Sequence, residues 1–345
     1  MSLPSVTLGL KYQARVLRPQ IAEKEKSQWY VATNSLREEN EVRLVEYDPS
    51  SESIQTVDAF VHPNEVWDVA PHPSKPEMFF TVHNKDGAYG VTLWSSEHGS
   101  RDLHSNGELE GFESRIRRVL WHKDDDSKVV SVDEGNLSCW DVGNGAIERK
   151  SSASAGDLQQ LWSGTWSRSD INTLCTAGGN GFTIWDLRSM EKAGDVQGAH
   201  EMPVRDVDIS PNGGGTLLTC GDDCAVKQWD SRNLGEPMLT LTGHSHWIWN
   251  CCYNPFHPEM LLSSSSDSLV VLWSNTPLGT SPENSPTSPS SGPMEGRIHD
   301  YDDHEDSVYG LAWSEVDPWT VASLSYDGRI VVNKVPSDVK YKILI

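Results

Sequence analysis

No window of this 345-residue chain approaches the ~18 apolar residues that a membrane-spanning helix needs, so none is expected. Residues Met1 to Tyr12 lack a basic stretch followed by an apolar one, and no secretory signal is read there. Cysteine is scarce. Cys139, Cys175, Cys220, Cys224, Cys251 and Cys252 fall mostly inside apolar or β-rich runs, and no pair of CxxC units stands at zinc-ligand spacing. They are expected to be reduced core thiols of a cytosolic protein. Basic residues are outnumbered 28 to 50, which leaves a net charge of −22 and no basic patch. The densest charge runs are acidic, Asp124-Asp125-Asp126 and Asp300 to Asp306. An acidic surface repels phosphate backbones, so general nucleic-acid binding is disfavoured.

Catalytic signatures are missing as well. There is no phosphate-cradling G-x-x-x-x-G-K-[ST], no H-E-x-x-H, no calcium-loop pattern and no G-x-S-x-G. Gly178-Gly179-Asn180-Gly181 and Gly213-Gly214-Gly215 are Gly-rich, but each lies between two strand-like segments, where a turn accounts for it. No enzyme activity, cofactor or metal is expected.

Tryptophan, by contrast, is plentiful: 14 residues, against 9 Tyr and 6 Phe, so the fold must give large indoles a regular place. Trp140-Asp141, Trp185-Asp186 and Trp229-Asp230 stand 45 and 44 residues apart. Stepping back 46 and then 47 residues reaches Trp94-Ser95 and Tyr47-Asp48, and stepping forward 44 reaches Trp273-Ser274. The last step, 60 residues to Asn333-Lys334, is lengthened by one insertion, Asn275–Gly296. A second marker keeps the same register: His200, His244 and His304 each precede their Trp-Asp position by 29 residues. Between the markers lie short β-branched runs with turn signals, and a fourth strand fits each gap. Four strands in each of seven ~45-residue repeats predict an all-β, seven-bladed β-propeller occupying residues 1–345. The Pro/Ser-rich insertion, 275–296 within blade six, is expected to be disordered, and its Ser-Pro pairs are candidate phosphorylation sites. For ring closure, the tail Lys340–Ile345 can supply the outer strand of blade seven, and Lys11–Leu17 fits the inner strand of blade one; closure by an N-terminal strand is the alternative.

These repeats resemble WD40 proteins, in which a His, a Ser or Thr, an Asp and the Trp of one blade form a buried hydrogen-bonded tetrad. The matching positions are His200, Thr219, Asp223 and Trp229, then His244, Ser263, Asp267 and Trp273. Blade seven keeps His304, Ser323 and Asp327 but has Asn333 for the Trp, while Gly179 and Glu134 replace the Asp in blades four and three. A catalytic triad occurs once, in a cleft, so repetition at one register marks these sets as structural. Five residues after the marker His, at the start of the inner strands, stand Trp67, Arg205, Trp249 and Tyr309, with Glu65 and Trp247 two residues before two of them. Seven-fold geometry would place them around the channel mouth, and Trp, Tyr and Arg are the residues most enriched at binding hot spots; for Arg205, Trp249 and Tyr309 core packing is the alternative. Trp121, Trp166, Tyr253 and Trp313 share a different register and are expected to pack between blades. Repeats four and five end in Asp186-Leu187-Arg188 and Asp230-Ser231-Arg232. This W-D-x-R form resembles the box by which WD40 substrate receptors dock on the damaged-DNA-binding adaptor of cullin-4 ubiquitin ligases. Asp186, Arg188, Asp230 and Arg232 would do so here, although each Arg could instead pair with its own loop.

Longer segments are similar to one family in particular. "GLKYQAR" (Gly9–Arg15), "GHSHWIWN" (Gly243–Asn250), "HEDSVYGLAWS" (His304–Ser314) and "DPWTVASLSYDGRIVVNKVP" (Asp317–Pro336) resemble the proteins that interact with the endosome-associated recycling complex. The resemblance implies a monomeric, non-catalytic adaptor for tethering complexes of endosomal recycling and Golgi retrograde transport, cytoplasmic and peripheral at endosomes and the trans-Golgi network. "LREENEV" (Leu36–Val42) and "HPNEVWD" (His62–Asp68) look more like the family's plant branch. That branch implies cullin-4 substrate receptors in abscisic acid signalling, with the nucleus as a further location.

Overall fold

The computed structural model describes residues 5–36, 39–85, 87–156, 160–276 and 296–344. Its strands form seven four-stranded antiparallel sheets. The inner strands are Ala14–Pro19, Glu65–Pro71, Ile116–His122, Leu161–Trp166, Val204–Ile209, Ile248–Tyr253 and Val308–Trp313. Each touches the inner strands of the blades on both sides, blade seven against blade one included, so the ring is closed. The all-β, seven-bladed expectation holds.

Second strands such as Thr216–Gly221 read as continuous apolar runs rather than alternating ones. The physical reason is that each blade is covered on both faces by its neighbours. Seven hydrophobic clusters result, one at each blade interface. Trp29, with no exposed surface, sits where blade one meets blade seven, beside Leu17 and Ile330. Trp121, Trp166, Tyr253 and Trp313 each join one of these clusters, as their register suggested. The hairpin Gly178–Gly181 turns through Gly179 in the left-handed region, φ 53°. A Cβ on Gly181 would collide with the Val196 carbonyl oxygen. Turn geometry therefore accounts for that Gly-rich run.

Closure differs from expectation. The outer strand of blade seven is Val6–Gly9, paired antiparallel with Arg329–Lys334 through Val6–Val332 to Gly9–Arg329. The C-terminal tail is instead a helix, Ser337–Leu344, begun by Pro336 and Ser337 with Asp338 in its first turn and Lys342 in its last. Val339 of that helix is buried against Val335, and Ile343 packs on the same cluster. The N-terminal segment fits the edge better because Val6 and Leu8, alternate residues on one face, pack with Leu10 on the blade one–blade seven core. The inner strand of blade one, expected at Lys11–Leu17, begins at Ala14. Residues 277–295 of the insertion, with their Ser-Pro pairs, lie outside the described residues.

Candidate protein-recognition faces

In blade five the tetrad is assembled as a single chain of bonds. Trp229 Nε1 donates to Thr219 Oγ1 (2.9 Å), Thr219 to His200 Nε2 (2.8 Å), and His200 Nδ1 to Asp223 (2.8 Å). The directions follow because an indole only donates and a carboxylate only accepts. Blade six repeats it: Trp273 to Ser263 (2.8 Å), Ser263 to His244 (2.7 Å), His244 to Asp267 (2.9 Å). Burial pushes the Asp267 carboxyl up, but the bond from His244 and those from the Ser245 and Leu269 N–H groups outweigh that and hold it at about 2.

Blade seven departs from the expected set. His304 bonds Ser323 (2.7 Å), but its other nitrogen meets Ser325, which passes the contact on to Asp327; His304 and Asp327 do not pair directly. Asn333 turns to Asp303 (3.1 Å). Blade two carries a truncated version not singled out in the sequence: Trp94 to Thr81 (2.8 Å), Thr81 to His62 (3.0 Å), with His62 Nδ1 on the Asn64 carbonyl (2.8 Å). The His rings of blades five and six are fully buried, so their His/Ser/Asp-type triples open onto no cleft.

The channel wall carries a second polar system. Arg18 of blade one pairs with Asp68 of blade two (2.7 Å), and Asp68 accepts Val119 N–H of blade three. Arg118 of blade three reaches Ser163 of blade four and Asp206 of blade five (3.0 Å each). Asp206 in turn accepts Cys251 N–H of blade six, and Asp208 accepts Tyr253 N–H (2.9 Å). Burial pushes both carboxyls up to about 6 against these bonds. Each buried charge is thus satisfied from a different blade, which ties neighbouring inner strands together.

At the channel's upper mouth, every inner strand shifts register near its start. The residue left out of the ladder is, in order, Arg15, Trp67, Arg117, Trp162, Arg205, Trp249 and Tyr309, all half-buried. A bulge re-aims its side chain, and here the first six alternate cation and ring from Arg15 to Trp249, with a second ring, Tyr309, completing the circle. Arg205 lies 4.2 Å from the Trp162 centroid and 5.2 Å from Trp249, and Trp249 lies 4.8 Å from Tyr309. Arg15 stacks on Tyr309 at 4.2 Å and reaches Trp67 at 5.9 Å; Arg117 stacks on Trp162 at 3.9 Å. Arg115 closes the remaining gap, 4.6 Å from Trp67. Trp247 stands above the ring, 41% exposed and 6.0 Å from Trp249.

The structure therefore gathers Trp67, Arg205, Trp247, Trp249 and Tyr309 at one mouth, and Glu65 opens the strand bearing Trp67. Sequence reasoning missed Arg15, Arg115, Arg117 and Trp162, whose blades lack the marker His in that register. Counting back from each Trp-Asp position would have found Arg117 and Trp162. Arg205 is held by Asp222 through a bidentate pair (2.7 and 2.5 Å), and Arg117 by Glu134 (2.5 Å). Glu134, at a tetrad position in the sequence, thus serves the ring instead.

Third strands run back to the opposite face, where the two W-D-x-R boxes sit. Arg188 forks onto Asp186 (3.0 and 2.7 Å) and Arg232 onto Asp230 (2.9 and 2.8 Å). Both guanidinium side chains stay open to solvent, 71% and 76% exposed. The local bond holds the Asp186 carboxyl at about 2. No bond joins the two boxes directly among the described residues.

Closed ring, repeated tetrads and two open faces define a seven-bladed WD40 β-propeller. The family model for the EIPR1 β-propeller matches residues 2–273, and that for the WD domain, G-beta repeat, matches residues 296–332. The chain belongs to the EIPR1 β-propeller family. It is 34% identical to the EARP and GARP complex-interacting protein 1 of Rattus norvegicus over 99% of this chain and 98% of that one. The Homo sapiens protein of that name is 33% identical over the same shares. The WD repeat-containing protein DWA2 of Arabidopsis thaliana is 35% identical over 95% of both.

Proposed function

We propose that this chain is a non-catalytic adaptor binding a multisubunit tethering complex of endosomal recycling and endosome-to-Golgi retrograde transport. The supporting observation is end-to-end similarity to proteins named for interacting with the EARP and GARP complexes. The upper mouth adds recognition chemistry, since it displays Trp, Tyr and Arg around a channel whose wall charges are paired with one another. The location that follows is cytoplasmic, peripheral at endosomes and the trans-Golgi network. Affinity purification of the tagged protein is expected to recover the tether subunits, and Trp249→Ala with Trp247→Ala to lose them. Recovery of no tether subunit by the wild-type chain would sink this reading.

A second reading is a substrate receptor of a cullin-4 ligase, active also in the nucleus. It is favoured by the exposure of Arg188 and Arg232 on the opposite face. Exposed ion pairs hold their partners weakly, so either fork is free to exchange its own Asp for an adaptor carboxylate. Arg188→Ala with Arg232→Ala is expected to abolish capture of the damaged-DNA-binding adaptor and leave tether recovery unchanged. If wild-type protein captures no such adaptor, this second reading fails.

A further inference from the structure

The upper mouth concentrates arginine on a molecule whose net charge is −22. Nearly every arginine among the described residues is neutralised: Arg117 by Glu134, Arg205 by Asp222, Arg18 by Asp68, Arg118 by Asp206. Arg15 and Arg115 stand apart. Neither has an ion pair or a side-chain hydrogen bond to any described residue, and both rest only on aromatic faces. Arg15 lies over Tyr309 (4.2 Å), Tyr326 (4.9 Å) and Trp67; Arg115 lies over Trp67 and Tyr89 (5.0 Å). Between them, Trp67 Nε1 and Arg15 Nε are buried without an acceptor. Among the described residues, a chain so rich in carboxylates leaves the Arg15 and Arg115 guanidinium groups without one, with the Trp67 indole N–H beside them also lacking an acceptor. Stacking also holds the forks in position, which reduces the ordering cost of pairing them with a ligand.

We propose that this mouth docks an extended acidic segment of a protein partner, whose carboxylates pair with Arg15 and Arg115 on either side of their shared contact, Trp67. Alternate side chains of an extended segment project to one face about 7 Å apart, so residues i and i+2 can serve the two arginines separately. A nucleic acid or anionic membrane is disfavoured, because a long polyanion would meet the repulsion of the whole acidic molecule. A phosphoryl group draws several cations to one point. Here Arg15 and Arg115 contact Trp67 separately, and the neighbouring Arg117 is already engaged. The inference rests on the adaptor reading only in taking the partner to be a protein.

The test is selection from a random twelve-residue peptide display library on the purified full-length chain, followed by fluorescence anisotropy with the strongest peptide. Selected sequences are expected to carry Asp or Glu on alternate positions. Affinity should fall at least about tenfold in Arg15→Gln and in Arg115→Gln, and stay unchanged in the Arg188→Ala, Arg232→Ala protein. Replacing the peptide's own acids by Gln should cause the same loss on wild-type protein, which guards against a variant that merely misfolds. Selection that enriches nothing, or sequences without paired acids, or binding indifferent to both arginines, overturns the proposal. So does a phosphoserine version binding tenfold more tightly than its acidic parent. Because no tether is present, failure here leaves the purification result standing, and the converse holds.

Discussion

Thr219 serves two partners at once, accepting from the Trp229 indole and donating to His200. Thr219→Val keeps the shape and removes both bonds, leaving a buried N–H and a buried ring nitrogen unpaired. An unsatisfied buried group costs about 1–3 kcal/mol, so a loss of that size or more is expected in urea unfolding; an unchanged midpoint would contradict the tetrad's structural role. His62 gives a pH-dependent counterpart. Burial, partly offset by its bond to Asn64, lowers its pKa from 6.5 to about 4. The unfolded chain therefore takes up a proton below pH 6.5 while the folded one does not, so this stability is fully present above 6.5 and is lost as pH falls through about 4. Asp206 and Asp208, raised to about 6, act in the opposite sense, their contribution being lost as pH rises through 6. The comparison that isolates His62 is wild type against His62→Gln. The difference in unfolding free energy should shrink between pH 7 and 4.5, by up to about 3 kcal/mol. A difference independent of pH would mean that His62 titrates normally in the folded protein.

At the scale of elements, the decisive strand is Val6–Gly9. It holds blade seven together from the opposite end of the chain, and its removal bares the edge Arg329–Lys334. Unpaired edges recruit other strands. A chain starting at Lys11 is expected to oligomerise on size-exclusion chromatography with light scattering and to unfold less cooperatively. A chain ending at Pro336 should lose only the packing of Val339 and Ile343 and keep the full chain's molar mass per particle relative to its length. Equal behaviour of the two truncations would show that closure does not depend on the N-terminal strand.

For the whole molecule, 50 acidic residues against 28 basic ones impose self-repulsion on the compact state. Salt screens such interactions, with a Debye length of about 10 Å at 0.1 M. The thermal midpoint should therefore rise as NaCl increases from about 0.02 to about 0.3 M. A falling midpoint would instead place exposed ion pairs, such as Arg188–Asp186 and Arg232–Asp230, in control of the salt response. The same charge balance makes the two arginines of the upper mouth that pair with no described carboxylate chemically distinctive.

The repeat spacing, the marker histidines and the Trp-Asp pairs were enough to specify seven blades, their register and the complete tetrads of blades five and six. Those features are local: each tetrad lies within one blade, so its spacing is written along a single stretch of chain. Features made between blades were not legible in the same way. The sequence suggested closure by the wrong terminus, because either end offers a β-compatible segment and only packing against Leu17, Trp29 and Ile330 selects between them. It also named four members of the bulge ring without Arg15, Arg117 or Trp162, and it could not show that Glu134 leaves the tetrad to hold Arg117. Cation–ring contacts and cross-blade ion pairs join residues from different repeats through the directions their side chains take. Those directions are set by the bulges and by the closing of the ring, which exist only once all seven sheets have packed.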